Sequence, residues 1–222
     1  SNFINLTCAE KVALLKSGIA QDRTLGARLL ACNGVAAVND LVQALVVEKK
    51  LYPKIEICNT LVTLGEVAVK PLIAQLGRIG GNQHRDLPSK SFEKKSYPLP
   101  RDIAARTLAH IGVVALPDLL DVLDEDDLLK LSEAIDAIGF ICFYSHQPEI
   151  YSKLIACYKH NSGSDLIRWK LVRAMSGFPE SIEFLIEQRT ICDNSMIKQE
   201  IDRSIRLINK RIDSIDVRSI SQ

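Results

Sequence analysis

Residues 101–123 have the sequence RDIAARTLAHIGVVALPDLLDVL, and this stretch decides the fold. Its first half contains good helix-forming residues and ends at Gly112, a residue type that commonly terminates helices. Four apolar residues then recur at the spacing of one helix face: Leu116, Leu119, Leu120 and Leu123. The stretch therefore predicts two short helices joined at Gly112.

The same pattern recurs upstream. Counted from Gly34 and from Gly65, the four corresponding positions are again apolar: Val38, Leu41, Val42, Leu45, Val69, Leu72, Ile73 and Leu76. Looser copies surround Gly139 and Gly177, and unit four continues through residues 140–144 before Pro148 opens its second helix. Because only about half of the residues in an average chain are apolar, agreement at all twelve positions indicates a true repeat. A period of about 30 residues with two helices per unit predicts an α-solenoid.

A second regularity lies seven residues before each glycine. The first four units have a small residue there, which would let neighbouring helices approach closely: Ala27, Cys58, Ala105 and Ser132. The fifth unit has Lys170 instead, so the repeat becomes less regular toward the end of the chain.

Two segments resemble HEAT repeats, namely residues 68–76 (AVKPLIAQL) and residues 101–112. They are closest to the short variety first noticed in phycobilisome lyases, and the resemblance extends over roughly residues 20–190. It implies an all-α, right-handed α-solenoid of five to six HEAT-like helix pairs, in which the second helices line the concave face. The resemblance does not specify function, because this repeat serves scaffolds, lyases and DNA-repair proteins alike.

We expect one domain over residues 1–222, since each repeat buries its apolar face against its neighbours. An N-terminal cap helix is predicted at 7–18, opened by a capping box of Thr7 and Glu10. Repeats follow over about 22–190, interrupted by an inserted loop at 78–100. A C-terminal cap helix is predicted at 194–212. We expect its outer face to carry Lys198, Asp202, Arg203, Arg206 and Lys210.

Composition excludes some classes of protein. The 222 residues are 47% hydrophobic and 25% charged, with a net charge of +1, so bulk electrostatics favours neither a nucleic-acid nor a membrane partner. No apolar run approaches the length of a membrane span, and no secretory signal is recognisable. Six scattered cysteines without a Cys-x-x-Cys motif suggest reduced thiols and a cytoplasmic protein.

The inserted loop is the main candidate interaction element, because long loops in compact domains are usually functional or disordered. The candidate binding residues include its His84 and its basic side chains: Arg78, Arg85, Lys90, Lys94 and Lys95. One possibility is that the loop folds back over the concave groove, so that its lysines meet Asp118 or Asp121. Alternatively, it stays mobile and offers its cations to an acidic partner, or it is a solvated insertion without function. Lys70 is a further candidate on a second helix.

Neither catalytic nor metal-binding chemistry is predicted. Cys142, His146, Cys157 and His160 match zinc ligands by type, but His146 and Cys157 are separated by a helix about 16 Å long, whereas all ligands must lie within about 2.3 Å of one ion. The acidic residues 124–127 are interpreted as a solvated turn that caps the next helix. We predict no cofactor.

Trp169, next to Lys170 and Arg173, is faintly similar to the base-binding residues of HEAT-like DNA glycosylases, although a lone tryptophan in a helix is more often a packing residue. The preferred function is a scaffold that binds a protein or peptide on its concave face. The alternative is an enzyme or enzyme subunit, of the DNA-glycosylase or bilin-lyase type.

Overall fold

A computed structural model describes residues 6–90 and 93–219, with side chains described as far as residue 213. The described residues form α-helices and short 3-10 turns, and no strand occurs among them. The helices are α1 (Cys8–Leu15), α2 (Ala20–Leu29), α3 (Val35–Val47), α4 (Leu51–Leu64), α5 (Val69–Ile73), α6 (Ile103–Ile111), α7 (Leu116–Asp121), α8 (Leu128–Tyr144), α9 (Tyr151–His160), α10 (Asp165–Met175), α11 (Ile182–Ile191) and α12 (Ser195–Ser219).

The helices stack in two layers. In the first layer α2 packs against α4, α4 against α6, α6 against α8, α8 against α10, and α10 against α12. The second layer contains α3, α5, α7, α9 and α11, each of which follows its first-layer partner in the chain. Within the described residues, five helix pairs are therefore stacked between two end helices, α1 and α12, and the predicted α-solenoid is confirmed.

The predicted register of the second helices is also confirmed. Eleven of the twelve periodic apolar positions are buried, and Leu120 is partly buried against the same core. The helix stops at Gly34, Gly65 and Gly112 have φ values of 57°, 65° and 87°. A side chain is strained at positive φ, which explains why glycine occupies these three positions.

Gly139 does not end a helix as Gly34, Gly65 and Gly112 do. Gly139 lies inside α8, which continues without a break to Tyr144. A Cβ atom on Gly139 would lie 2.0 Å from the hydroxyl of Tyr97 and 2.9 Å from the Cα of Ala174. The glycine is needed here because two segments of chain approach the helix closely. Gly177, by contrast, lies in the turn directly after the end of α10, and a Cβ atom there would lie 3.0 Å from the backbone nitrogen of Phe143.

The helix ends follow local capping rules. Thr7 and Glu10 form the predicted capping box, and the Asn194 side chain accepts hydrogen bonds from the first amides of α12. Helix α1 ends at Leu15, earlier than predicted, and the carbonyl oxygens of Ser17 and Gly18 in the turn that follows accept hydrogen bonds from Arg23. Helix α12 extends past the predicted end at 212 to Ser219.

Among the described residues, no single helix combines the length and apolar character needed to cross a membrane. One bent pair of segments, Ile103–Ile111 and Val113–Asp124, satisfies both criteria by length and composition only, with 116° between the two.

Candidate functional site

The residues predicted to form one binding site are divided between two faces of the solenoid. Lys70 on α5 and Asp118 on α7 lie in the second layer, where the lysine Nζ is 3.7 Å from a carboxylate oxygen of Asp118. Asp121 also lies on α7, where it is exposed. Arg78, at the start of the loop, lies 3.9 Å from Asp127 of the acidic turn. Asp127 also caps α8 by accepting hydrogen bonds from its first amides, as predicted for that turn.

The inserted loop folds back, but onto the first-layer helices rather than toward Asp118 and Asp121. Tyr97 is buried with its ring 5.7 Å from that of Phe143 and 6.3 Å from that of Phe140, both on α8. Arg203 on α12 donates hydrogen bonds to the carbonyl oxygen of Lys94 at 3.1 Å and to that of Ser96 at 2.8 Å. An aromatic side chain and backbone carbonyls thus anchor the loop.

The first part of the loop is fixed by a separate set of contacts. The Gln83 amide donates to the carbonyl oxygen of Ile79 and to a carboxylate oxygen of Asp102, both at 2.8 Å. The other oxygen of Asp102 accepts from the backbone amide of Ala105 and caps α6. Arg85 donates to the carbonyl of Gly77 at 3.4 Å.

His84 lies edge-on to Trp169 of α10, with ring centroids 5.2 Å apart. Lys90 and Lys95 are exposed, as is the side chain of Lys94. Phe92 of the loop lies outside the described residues.

Beneath the loop, six charged side chains of alternating sign cross three first-layer helices. Lys170 on α10 lies 2.9 Å from Glu133 and 2.8 Å from Asp136, both on α8. Arg173 on α10 lies 3.8 Å from Asp136 and 3.8 Å from Glu200, and Glu200 is 2.6 Å from Arg203. No side chain of this charge ladder is more than 4% exposed. Arg203 was expected on the outer face of α12; it is buried because the loop covers it.

The ladder and the loop shift the protonation equilibria of their acids and of His84. Burial raises the pKa of Glu133 to about 7, and Lys170 offsets this only in part. Burial also raises the pKa of Glu200. For Asp136 the effect of burial is outweighed by Lys170 and Arg173, so its pKa lies below the usual value. Burial, together with the positive charges of Arg101 and Arg173, lowers the pKa of His84 to about 4, so this imidazole is neutral at physiological pH.

Trp169 is a packing residue in this structure. Its side chain is 2% exposed, and the guanidinium of Arg173 lies 3.7 Å from the ring centroid. His84 covers another edge of the ring. A stacking platform for an extruded base requires an open aromatic face, and this indole is enclosed on two sides.

An open surface lies instead at the edge of the solenoid formed by α1 to α4. We call Val47, Lys49, Lys50, Leu51 and Tyr52 the edge surface; they follow one another through the turn that joins α3 to α4. Val47 is 73% exposed, Leu51 66% and Tyr52 77%. A cavity of about 530 Å³ adjoins one side of this turn, and a cavity of about 540 Å³ adjoins the other. Lys50 lines both cavities.

Comparisons with known proteins give distant structural similarity and no family. No protein-family model and no curated protein matches the sequence. Among solved structures, the chain is similar to a designed armadillo repeat protein at 17% identity, with a TM-score of 0.41 and coverage of 91% of this chain and 100% of that one. It is also similar to an engineered protein solved by the Northeast Structural Genomics Consortium, at 17% identity with a TM-score of 0.38 and coverage of 91% and 96%.

The described residues contain no group of three or more His, Cys, Asp and Glu side chains arranged to hold a metal ion. Burial raises the pKa of the Cys142 thiol to about 12 and that of Cys157 to about 11, so both are protonated at neutral pH. A protonated thiol is neither a good nucleophile nor a metal ligand.

Neither the charge ladder nor the edge surface was predicted from the sequence. A signal for the ladder was present, because Lys170 occupies the position that is small in the other units. Its Nζ donates to the carbonyl oxygen of Ser132, the corresponding residue of the preceding unit. The edge surface gave no comparable signal, because an apolar residue at a helix end has the same pattern whether it is covered or exposed.

Proposed function

We propose that this protein is a HEAT-type scaffold that binds a protein or peptide segment, and that the edge surface is its principal binding site. The observation that carries the proposal is the exposure of Val47, Leu51 and Tyr52 together beside two concave cavities. Large apolar residues that cluster on the surface of a soluble protein mark interaction sites, whereas single exposed ones are common and need no explanation. Tyrosine is also among the residues that contribute most to protein interfaces.

The first-layer face of the C-terminal units offers less to a partner. There the inserted loop covers the polar side chains of α8, α10 and α12, and its anchors are a buried tyrosine and a buried arginine. The second-layer residues Lys70, Asp118 and Asp121 remain a secondary candidate for partner contact, with the lysine and Asp118 already paired to each other. The hypothesis from the sequence, that a partner binds on the concave face, concerns these second-layer residues.

An enzymatic role has less support than a scaffold role. The residues most similar to a glycosylase site are enclosed, since Trp169 lies beneath Arg173 and against His84. The two cavities at the edge surface are lined by apolar and basic groups, together with the carboxylate of Glu48, which is paired with Arg23.

The test is selection from a displayed random-peptide library on the immobilised full chain, with affinities of the selected peptides then measured by fluorescence anisotropy. The double variant Leu51→Ser/Tyr52→Ala should weaken the selected peptides by about tenfold or more, because it removes the apolar contact area. The matched control is Ile186→Ser/Ile191→Ser, which alters two similarly exposed apolar residues on α11 and should leave affinity unchanged.

If the selected peptides bind both variants as tightly as the original chain, the edge surface is not the site. If selection yields no peptide that binds the folded chain, the scaffold proposal itself is wrong. Deleting residues 80–98 is a poor alternative test, because the deletion would remove Tyr97 and Gln83 and expose the charge ladder.

A further inference from the structure

Around the edge surface, the acidic side chains have basic partners, whereas two of the basic side chains have no acidic partner among the described residues. Each of three nearby carboxylates already has a basic partner: Asp40 is 2.8 Å from Lys16, Glu48 is 2.7 Å from Arg23, and Glu56 is 2.8 Å from Arg28. The side chains of Lys49 and Lys50 take part in no ion pair among the described residues. The surface therefore presents two unneutralised cations beside exposed apolar groups.

The turn that carries these lysines is held in one conformation. The backbone amides of Lys49 and Lys50 both donate to the same carboxylate oxygen of Glu48, at 2.9 and 2.8 Å. The guanidinium of Arg23 holds that carboxylate through two hydrogen bonds of 2.7 and 3.0 Å, and it lowers the pKa of Glu48. Arg23 also donates to the carbonyl oxygens of the preceding interhelix turn. A site fixed before binding loses less conformational entropy when a partner arrives.

The two cavities flank this rigid turn. The first is lined by Leu15, Ala44 and Val47 together with the aliphatic and charged parts of Lys16, Lys49 and Lys50. The second is lined by Leu25, Leu51, Tyr52 and Pro53 beside Lys50 and Arg28. Both volumes fall within the usual range of ligand clefts, about 300–1,000 Å³, and both linings combine apolar groups with cations. Such a lining is complementary to a chain that carries apolar side chains next to carboxylates.

We propose that the edge surface binds an extended acidic peptide segment with an apolar or aromatic anchor residue. The anchor enters the cavity beside Tyr52, and the flanking Asp or Glu side chains meet Lys49 and Lys50. This inference rests on the proposed scaffold function and adds the chemistry of the partner. Charge complementarity supplies specificity and a faster association rate, while the anchor supplies most of the affinity.

The experiment uses three fluorescein-labelled peptides and the full chain. The acidic probe contains Asp and Glu around a central Leu-Phe pair, the basic probe replaces the acids with Lys, and the anchorless probe replaces Leu-Phe with Ser-Ser. Fluorescence anisotropy should show that the acidic probe binds at least about tenfold more tightly than either of the others. The affinity should decrease as the salt concentration rises, because exposed charge pairs are screened.

Charge reversal provides the matched comparison. In Lys49→Glu/Lys50→Glu the preference should invert, so that the basic probe binds more tightly than the acidic one. In Lys90→Glu/Lys95→Glu the same charge change is made on the inserted loop, and the original preference should remain. If the loop variant loses the acidic probe while the edge variant keeps it, the partner binds the loop and the inference is overturned.

Other outcomes separate this inference from the scaffold proposal. If library peptides depend on Tyr52 but show no acidic preference, the edge surface stands and the acidic partner is wrong. If sedimentation shows that the chain is a dimer that Tyr52→Ala dissociates, a second copy occupies the surface and the peptide inference is overturned. If no probe and no library peptide binds, both proposals fail together.

Discussion

Substitution of Gly139 by alanine tests whether the inserted loop packs where the structure places it. In an isolated helix the change would stabilise by about 1 kcal/mol, because alanine has the higher helix propensity. In this protein the new Cβ would lie 2.0 Å from the Tyr97 hydroxyl, 2.6 Å from its Cζ and 2.9 Å from the backbone of Ala174. Contacts this short cannot persist, so Tyr97 must leave its site or α8 and α10 must separate.

The expected loss of stability follows from the cost of each structural response, the displacement of Tyr97 or the separation of α8 and α10. Displacing Tyr97 removes the burial of an aromatic side chain, worth about 2–3 kcal/mol, and overpacking between helices costs about 1–3 kcal/mol. After the gain in helix propensity, we expect Gly139→Ala to lower the free energy of unfolding by about 2 kcal/mol. Urea unfolding followed by circular dichroism measures this change. Trypsin cleavage after Lys94 and Lys95 should also become faster, because the loop is released.

A double-mutant cycle with Tyr97→Ala shows whether the loss of stability on Gly139→Ala comes from the contact with Tyr97. In that background Gly139→Ala should cost at least about 1 kcal/mol less, because the phenol ring is gone and only the contact with Ala174 remains. Gly163→Ala is the control, since a Cβ there meets no atom within 4 Å. An increase in stability on Gly139→Ala would refute the packing of Tyr97 on α8.

Three further predictions concern the core, the charge ladder and the loop histidine. Leu120→Asp should lower the free energy of unfolding by about 3 kcal/mol because it places a charge against the core, whereas the exposed Asp121→Ala should change it by less than about 0.5 kcal/mol. Equal losses of stability in urea unfolding would contradict the assignment of Leu120 to the buried face of α7. Lys170→Met should cost about 3–5 kcal/mol because it removes the cation that pairs with buried Glu133 and the nearer of the two cations beside buried Asp136. The exposed Lys210→Met is the control and should be nearly neutral in the same assay. His84 has a pKa of about 4 in the folded chain against 6.5 in the unfolded chain, so it stabilises the fold above pH 6.5 and this contribution is lost as the pH falls toward 4. The urea midpoint of His84→Gln should therefore approach that of the original chain as the pH falls across this range. A constant difference between the two midpoints would show that His84 does not titrate as described.

Several elements were predictable because their signals are local. The capping box at Thr7, the Asn194 cap and the helix stops at Gly34, Gly65 and Gly112 all depend on residues within one turn of the feature. The buried faces of the second helices follow from a helical spacing of apolar residues. The role of Gly139 was not recognisable from the sequence, because a glycine that ends a helix and one that admits a neighbouring side chain have the same sequence signature.

The candidate site was less predictable because its contacts join distant parts of the chain. The sequence predicted that residues 78–100 form a loop of basic character, but it did not indicate which face the loop covers. That choice depends on Arg203, whose hydrogen bond to Ser96 spans 107 positions, and on Tyr97 packing against α8. Whether Leu51 and Tyr52 are exposed likewise depends on which other segments of the folded chain pack against that edge.

The sequence by itself determined the helix pairs, their order and the buried face of each second helix, because a periodic apolar pattern acts within one helix and its nearest neighbours. Only the tertiary structure decided that Lys170 and Arg203 are buried charges and that Lys49 and Lys50 are free of ion pairs within the described residues. The physical reason is that the stability of a charged side chain depends on the partners and solvent around it, and these are set by segments far away in sequence.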